Sequence, residues 1–296
     1  MRYCLIVNPV AGGGRSLTVL EKAKQRFQAA GVDYAVRLTT SPGEAVFLAA
    51  QASSEAYDAV VSVGGDGTLC EVAHGLAGSG CPLGILPGGR GNDYCRCVGI
   101  PEKDTDRAIQ ILLDGHSRAV DIMRVNDLVG LNVSSVGFDE EVVRNSRRFA
   151  WFKGLSYVIS VFYTILHYRS LPLRIQVDDG LYEQPTFLVA AGCGTHYGGG
   201  INVLPEADPA DGLMDVCVID PVTRAQVVRL LPKFMKGQHK HFSFVHMTRA
   251  RHVVVESDVP FHVNMDGELL DNLHRVDMEL VAQGLRVLAP VSPEMA

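Results

Sequence analysis

The sequence predicts an α/β domain built on a parallel sheet, followed by a mainly antiparallel β-sandwich domain. Over residues 1–124, short apolar runs alternate with helical patterns, which predicts parallel strands covered by helices. From residue 125 onward, Val-rich alternating runs recur instead, as in sandwiches and barrels. A chain of 296 residues can bury two separate cores. We expect domains of 1–124 and 125–296, with about ten residues at the end returning to the first.

Taken in order, Tyr3 to Val7 forms a strand, and Leu17, Leu20 and Phe27 share one face of the helix after it. Tyr34, Val36 and Leu38 alternate as a second strand. Ser41-Pro42-Gly43-Glu44 then offers an N-cap, a proline at the first helical position and a capping-box glutamate. Strands follow at 59–63 and 83–86, with helices at 68–77 and 104–114. In the second half, strands are expected at 129–136, 173–178, 186–191, 213–219, 252–256, 260–264 and 275–281.

Residues 149–168 form one long apolar helix, along which Lys153, Ser156, Ser160, Thr164 and His167 draw a narrow polar stripe. A membrane span would not need that stripe, so a helix packed on the sandwich is expected, most of its apolar face in the core. Near its start, Trp151, Phe152, Arg144, Arg147, Arg148 and Lys153 combine aromatic and basic character. That combination suits an anionic lipid surface or a solvated charge cluster.

The 47% hydrophobic and 20% charged residues are those of a globular protein, not a disordered one. A net charge of −6 argues against nucleic acid as a partner. Seven cysteines without zinc-ligand spacing, and no secretory leader, lead us to expect buried free thiols in a reducing cytoplasm. No nucleophile-elbow or P-loop motif occurs, which excludes those chemistries.

Three glycine blocks each follow a predicted strand: Gly12-Gly13-Gly14, Gly64-Gly65-Asp66-Gly67-Thr68 and Gly88-Gly89-Arg90-Gly91. In a parallel sheet they gather at one edge, where ligands bind. The second block sets a lone carboxylate in a strand–turn–helix junction whose backbone N–H groups suit a phosphate. Asp66 would repel a bare phosphate, so it fits with a divalent cation between them; a plain N-cap is the simpler alternative. Asp266-Gly267-Glu268 follows the alternating run from Phe261 to Asn264. Its two carboxylates can converge on a hydroxyl and a cation, although acidic–glycine pairs also make hairpin turns. Asp208-Pro209-Ala210-Asp211-Gly212-Leu213 bends the backbone into a cation site or an Asx turn.

These blocks, together with Asn8-Pro9-Val10-Ala11, Leu86-Pro87, Asn92-Asp93 and Tyr197-Gly198-Gly199-Gly200, run in order over nearly the whole chain. They resemble the bacterial branch of the diacylglycerol kinase catalytic family, which is related to sphingosine kinases and more distantly to NAD kinases. The resemblance implies a three-layer nucleotide domain, a β-sandwich and an active site in the cleft between them. The implied activity is ATP- and Mg²⁺-dependent phosphorylation of a lipid hydroxyl, diacylglycerol to phosphatidic acid.

By the same resemblance, ATP contacts fall to Asn8, Gly12, Gly13, Gly14, Thr39, Gly64, Gly65, Gly67, Thr68, Glu71, Arg90 and Asn92. Asp66 is catalytic and meets the metal, with Asp93 close by, and Glu268 or Asp266 is the base. A structural Mg²⁺ is expected on Asp211 and the carbonyls of Asp208 and Leu213. Two positions depart from the family pattern: Cys70 replaces an asparagine, and Arg90 replaces a small or hydroxylated residue. Arg90 either grips a phosphate or pairs with Asp93. The implied partners are ATP, a lipid acceptor and, transiently, the inner membrane face; a homodimer through sheet edges is open. NAD kinase and a non-catalytic nucleotide-binding regulator are the alternatives.

Overall fold

The computed structural model describes residues 1–149, 151 and 156–291. The chain divides into two compact units, one of residues 1–122, 209–212 and 281 onward, the other of 123–208 and 213–280. The division falls at Ile122/Met123 where residue 124 was expected, and nothing in the sequence marks the excursion at 209–212.

In the first unit β1 (Arg2–Val7), β2 (Asp33–Leu38), β3 (Ala59–Gly64) and β4 (Leu83–Pro87) are parallel in the order β2–β1–β3–β4. Val287, from the returning segment, pairs in parallel with Leu83. Every residue of β3 and β4 is buried, which explains their continuous apolar runs. Between the strands lie α1 (Arg15–Ala29), α2 (Glu44–Ser53), α3 (Asp66–Leu76), α4 (Asp93–Cys97) and α5 (Thr105–Asp114). Helix α1 packs on α5, and α2 on α3. Leu20 and Phe27 bury with Val19 and Ala23, whereas Leu17 stays exposed. Helix α2 starts at Glu44, later than its expected cap at Ser41, because Gly43 takes a left-handed φ of 81°. The Glu44 carboxylate still accepts the N–H groups of Thr40 and Ser41.

Strand β5 (Ser117–Val125) leads into the second unit. There β6 (Leu128–Gly130) and β7 (Val133–Gly137) replace the single strand expected at 129–136. Next come α6 (Phe138–Arg148), α7 (Ser156–His167), β8 (Leu171–Val177), β9 (Gly180–Thr186) and β10 (Leu188–Gly192). The short pair β11 (His196–Tyr197) and β12 (Ile201–Asn202) precedes β13 (Met214–Ile219), α8 (Arg224–Phe234) and β14 (Val245–Ala250). Strands β15 (His252–Met265) and β16 (Glu268–Leu288) close the chain, with a bulge after Glu256 where two separate strands were expected. The sheet order is β14–β13–β10–β7–β15–β16, antiparallel throughout, with β8 and β9 beside β15.

Both faces of this sheet are covered. In β10, Val189 and Ala191 enter the sandwich core, while Leu188 and Ala190 enter a second core beneath α6 and α8. The polar stripe of α7 turns inward: Ser160 and Thr164 are buried, and Asn145 of α6 donates to Thr164 Oγ1 at 3.1 Å. Phe162 and Leu166, on the expected core face, are exposed instead. Phe152 and Lys153 lie outside the described residues. No helix among the described residues is long and apolar enough to cross a membrane.

Candidate active site

The first unit brings the three glycine blocks together at the carboxyl ends of its strands. Val7, Leu38 and Val63 are level in the parallel register, and Gly64 is level with Pro87. Each loop therefore leaves the sheet at the same edge. Gly88 N–H donates to Gly64 O at 2.7 Å. A Cβ on Gly12, at φ 61°, would lie 2.1 Å from Gly88 O, and one on Gly89 would lie 2.4 Å from the Gly65 Cα. The loops thus meet backbone to backbone, where no other residue type fits. Gly13 and Gly14 face open space, leaving their peptide groups approachable.

Side chains lock this edge. Asn8 Nδ2 donates to Thr68 Oγ1 at 3.1 Å, while Asn8 Oδ1 accepts the Val10 N–H. Thr39 is buried at the end of β2, its N–H bonded to Val7 O. Gly65, which has no side chain, is the N-cap of α3, with Asp66 and Gly67 in the first turn at the positive end of the helix dipole. Asp66 Oδ2 accepts the Asn92 N–H at 2.7 Å, and Asn92, at φ 53°, closes the third loop through both Gly89 N–H and Gly89 O.

Three expected site residues stand differently. Asp93 is paired with Arg96, not Arg90, and Arg96 also reaches Glu102. Arg90 is exposed and has no ion-pair partner among the described residues. Both carboxylate oxygens of Glu71 accept backbone N–H groups, from Gly43 and Ala45, at 2.9 and 3.1 Å. Glu71 therefore caps α2.

Asp121 escaped the sequence reading. It is buried, its two oxygens accept the N–H groups of Gly212 and Gln283 at 2.7 Å each, and its own N–H donates to Pro209 O. This carboxylate fastens residues 209–212 to the first unit. Asp211 belongs to that excursion, while Asp208 and Leu213 belong to the second unit. The oxygens of Asp66, Asp93 and Asp211 are hard donors of the kind Mg²⁺ takes. Among the described residues no three carboxylate, His or Cys side chains cluster, so phosphate and water would have to complete the shell of an ion at these positions.

In the second unit the Asp-Gly-Glu tripeptide is a hairpin. Met265 pairs with Glu268 across a two-residue turn in which Asp266 and Gly267 have φ of 51° and 94°. The Asp266 carboxylate accepts three backbone N–H groups, from Leu131, Asn132 and Val133, at 2.7, 3.0 and 2.8 Å. It pins the turn to the start of β7. Glu268, the other carboxylate, opens β16 at an exposed position.

A narrow cavity of about 40 Å³ lies beneath α6, α7 and α8. Its walls are apolar: Val142, Val161, Leu188, Ile219, Val227, Leu230 and Phe234 are among them. Asp139 also lines it, buried and bonded by Ser135 and Asn264. Burial pushes the Asp139 carboxyl upward, against hydrogen bonds from Ser135, Asn264 and Tyr197. Glu140 beside it is driven up to about 9, by burial first and then by the negative charge of Asp139. Asn264 accepts the Gly267 N–H through its other amide atom, so one side chain links the cavity's acid to the hairpin that carries Glu268. Asp139, Glu140 and Asn264 carried no signal in the sequence, since acids in a first helical turn are ordinary.

Comparison with known proteins agrees with both halves. Residues 2–125 match the diacylglycerol kinase catalytic domain, and 132–289 match the YegS C-terminal NAD kinase beta sandwich-like domain. The diacylglycerol kinase of Mycobacterium tuberculosis is 34% identical over 293 residues, covering 96% of this chain and 94% of that protein. The diacylglycerol kinase of Bacillus subtilis is 27% identical over 271 residues, covering 90% and 89%. A crystal structure of a candidate diacylglycerol kinase from Bacillus anthracis superposes with a TM-score of 0.80 at 26% identity, covering 98% of this chain and 97% of that one. This chain belongs to the diacylglycerol kinase family of lipid kinases.

Proposed function

We propose that the protein uses ATP and Mg²⁺ to phosphorylate the hydroxyl of a lipid, diacylglycerol before others, giving phosphatidic acid. The observation that carries this reading is the apolar cavity whose buried acid, Asp139, is joined through Asn264 to the turn bearing Glu268. Its apolar walls suit an acyl chain, for which it would have to widen, and do not suit a soluble dinucleotide.

The N–H groups of the glycine loops and of the α3 N-terminus hold the phosphates, and exposed Arg90 adds a charge to them. Asn8, Thr39, Thr68, Asn92 and Glu71 keep those loops in shape. Asp66, with Asp93 beside it, would hold Mg²⁺, which when bound would supply neutralisation of the phosphate charge. A second Mg²⁺ at Asp211 and the carbonyls of Asp208 and Leu213 would stiffen that turn. Glu268 is the general base: it takes the proton of the acceptor hydroxyl as that oxygen attacks the γ-phosphorus and the bond to ADP breaks. Asp266 is committed to three amides and serves as its anchor. Work on a membrane lipid implies transient docking on the inner membrane face. Strand β14 ends the sheet order of its unit and is the edge on which a homodimer would pair.

The test is transfer of label from γ-labelled ATP, with Mg²⁺, to long-chain diacylglycerol in mixed micelles, with NAD as a parallel soluble acceptor. Label in extractable phosphatidic acid supports the reading, and label in NADP would replace it with a NAD kinase. Nucleotide binding without transfer to either would leave a regulator.

A further inference from the structure

We propose that Asp139 and Asn264 are positioning residues, which together set the Asp266–Gly267 turn, and with it Glu268, for a lipid acceptor in the cavity. The role of Glu268 in this inference rests on the lipid-kinase reading; the way the turn is held does not. In the antiparallel register Asn264 of β15 is opposite Ser135 of β7, so both side chains point to the same side of the sheet. Asp139 lies there, in the first turn of α6, and accepts from Ser135 Oγ and from Asn264 Nδ2, the latter at 3.2 Å. All three residues are buried. The Gly267 N–H donates to Asn264 Oδ1 at 3.1 Å. Both ends of one amide are thus committed. Its oxygen faces the turn, because an N–H meets it there, and its NH₂ faces the acid in the cavity wall.

Packing does not hold Gly267. Its φ is 94°, and a Cβ built there would find nothing within 4 Å. A glycine in open space keeps its backbone freedom, so its orientation falls to hydrogen bonds. Asp266 fixes one side of the turn through the amides of Leu131, Asn132 and Val133. Asn264 fixes the other. If only a stable fold were needed, an apolar residue would serve better at position 139, since burying a carboxylate costs stability. The upward push of burial on the Asp139 carboxyl marks that cost. What the acid supplies is an acceptor for the Asn264 NH₂; without it the amide could turn over and present its NH₂ to the Gly267 N–H. The cavity wall and the strand end that carries Glu268 are therefore one hydrogen-bonded unit.

The experiment compares the full chain as wild type, as Asn264→Leu and as the swap Asp139→Asn/Asn264→Asp. Two quantities are read: turnover of short-chain diacylglycerol, and hydrogen exchange of the Gly267 N–H. Asn264→Leu keeps the volume and removes both hydrogen bonds. Its kcat should fall about a hundredfold, the loss that a small misplacement of a reacting group gives, with KM within about twofold of wild type. Its Gly267 N–H should exchange about tenfold faster, one hydrogen bond being lost. In the swap the amide on α6 donates to the acid on β15, Ser135 Oγ turns from donor to acceptor, and the new carboxylate still accepts the Gly267 N–H. The swap should therefore recover kcat to within about fivefold of wild type and protect Gly267 again. Should Asn264→Leu fail to fold, Asn264→Ser, which is too short to reach both partners and crowds neither, carries the same expectation. Wild-type kcat in a variant whose Gly267 N–H exchanges fast would overturn the proposal. So would a loss confined to KM, or a folded swap as inactive as Asn264→Leu. If exchange at Gly267 follows the stated pattern while wild type transfers no label to diacylglycerol, the link between cavity and turn stands and the kinase reading fails.

Discussion

Two of the Asp-Gly dipeptides in this molecule, at Asp66 and at Asp266, have carboxylates that do opposite things with the backbone around them. Asp66 begins a helix and accepts the N–H of Asn92, and the N-cap residue of that helix, Gly65, supplies no side-chain cap. Asp266 is in a hairpin turn and gathers three N–H groups for itself. A phosphate site needs amides that are not already used, so the first arrangement can bind and the second can only hold. The wider contrast follows the same line. The first unit builds its site from backbone, with glycine loops pressed together. The second builds its own from side chains: a buried acid, an asparagine link and an apolar cavity.

The largest effect should come from Asp66→Asn, which keeps an acceptor for the Asn92 N–H but removes the charge. Turnover should fall about a thousandfold with melting temperature unchanged, a loss of the size a misplaced metal and phosphate give. Near-normal turnover in steady-state assays would place the metal elsewhere. Next is Gly12→Ala, whose Cβ meets Gly88 O at 2.1 Å and whose φ of 61° disfavours alanine. It should cost about 2–3 kcal/mol in urea unfolding and weaken ATP binding by calorimetry, because the loops must part. Unchanged values on both would mean the loops are not held together through this contact.

The second unit is sharpened by pH. Glu140 stays protonated in the folded chain up to about 9, while the unfolded chain ionises it at its ordinary value near 4.5. The folded state thus binds the extra proton between those values, and its stability falls as pH rises through that window. Glu140→Gln removes the ionisation, so it should gain stability at pH 8 on the order of 2 kcal/mol and little at pH 4. A gain independent of pH in thermal melts would contradict the burial-driven shift.

The first unit was the more legible in the sequence, because its strands are short, wholly buried and separated by helices with caps and glycines. The Asp266–Gly267 hairpin was legible for the same reason, its turn chemistry being local. What escaped depends on partners distant in sequence. Nothing near Asp121 announces that Gly212 and Gln283 will donate to it. The stripe on α7 turned inward because Asn145 awaited Thr164 there. The bulge in β15 hid one long strand as two. Asp139 resembles any acid in a first helical turn until the cavity above it is formed.

The division of labour within Asp-Gly-Glu is tested most directly by measuring phosphatidic acid formation and thermal stability on Asp266→Ala and Glu268→Gln side by side. Glu268→Gln should lose turnover by about a hundredfold to ten-thousandfold at an unchanged melting temperature. Asp266→Ala, which strands three backbone N–H groups, should lose about 2–4 kcal/mol of stability. If Glu268→Gln keeps its turnover while Asp266→Ala stays folded and inactive, Asp266 is the base and the assignment is wrong.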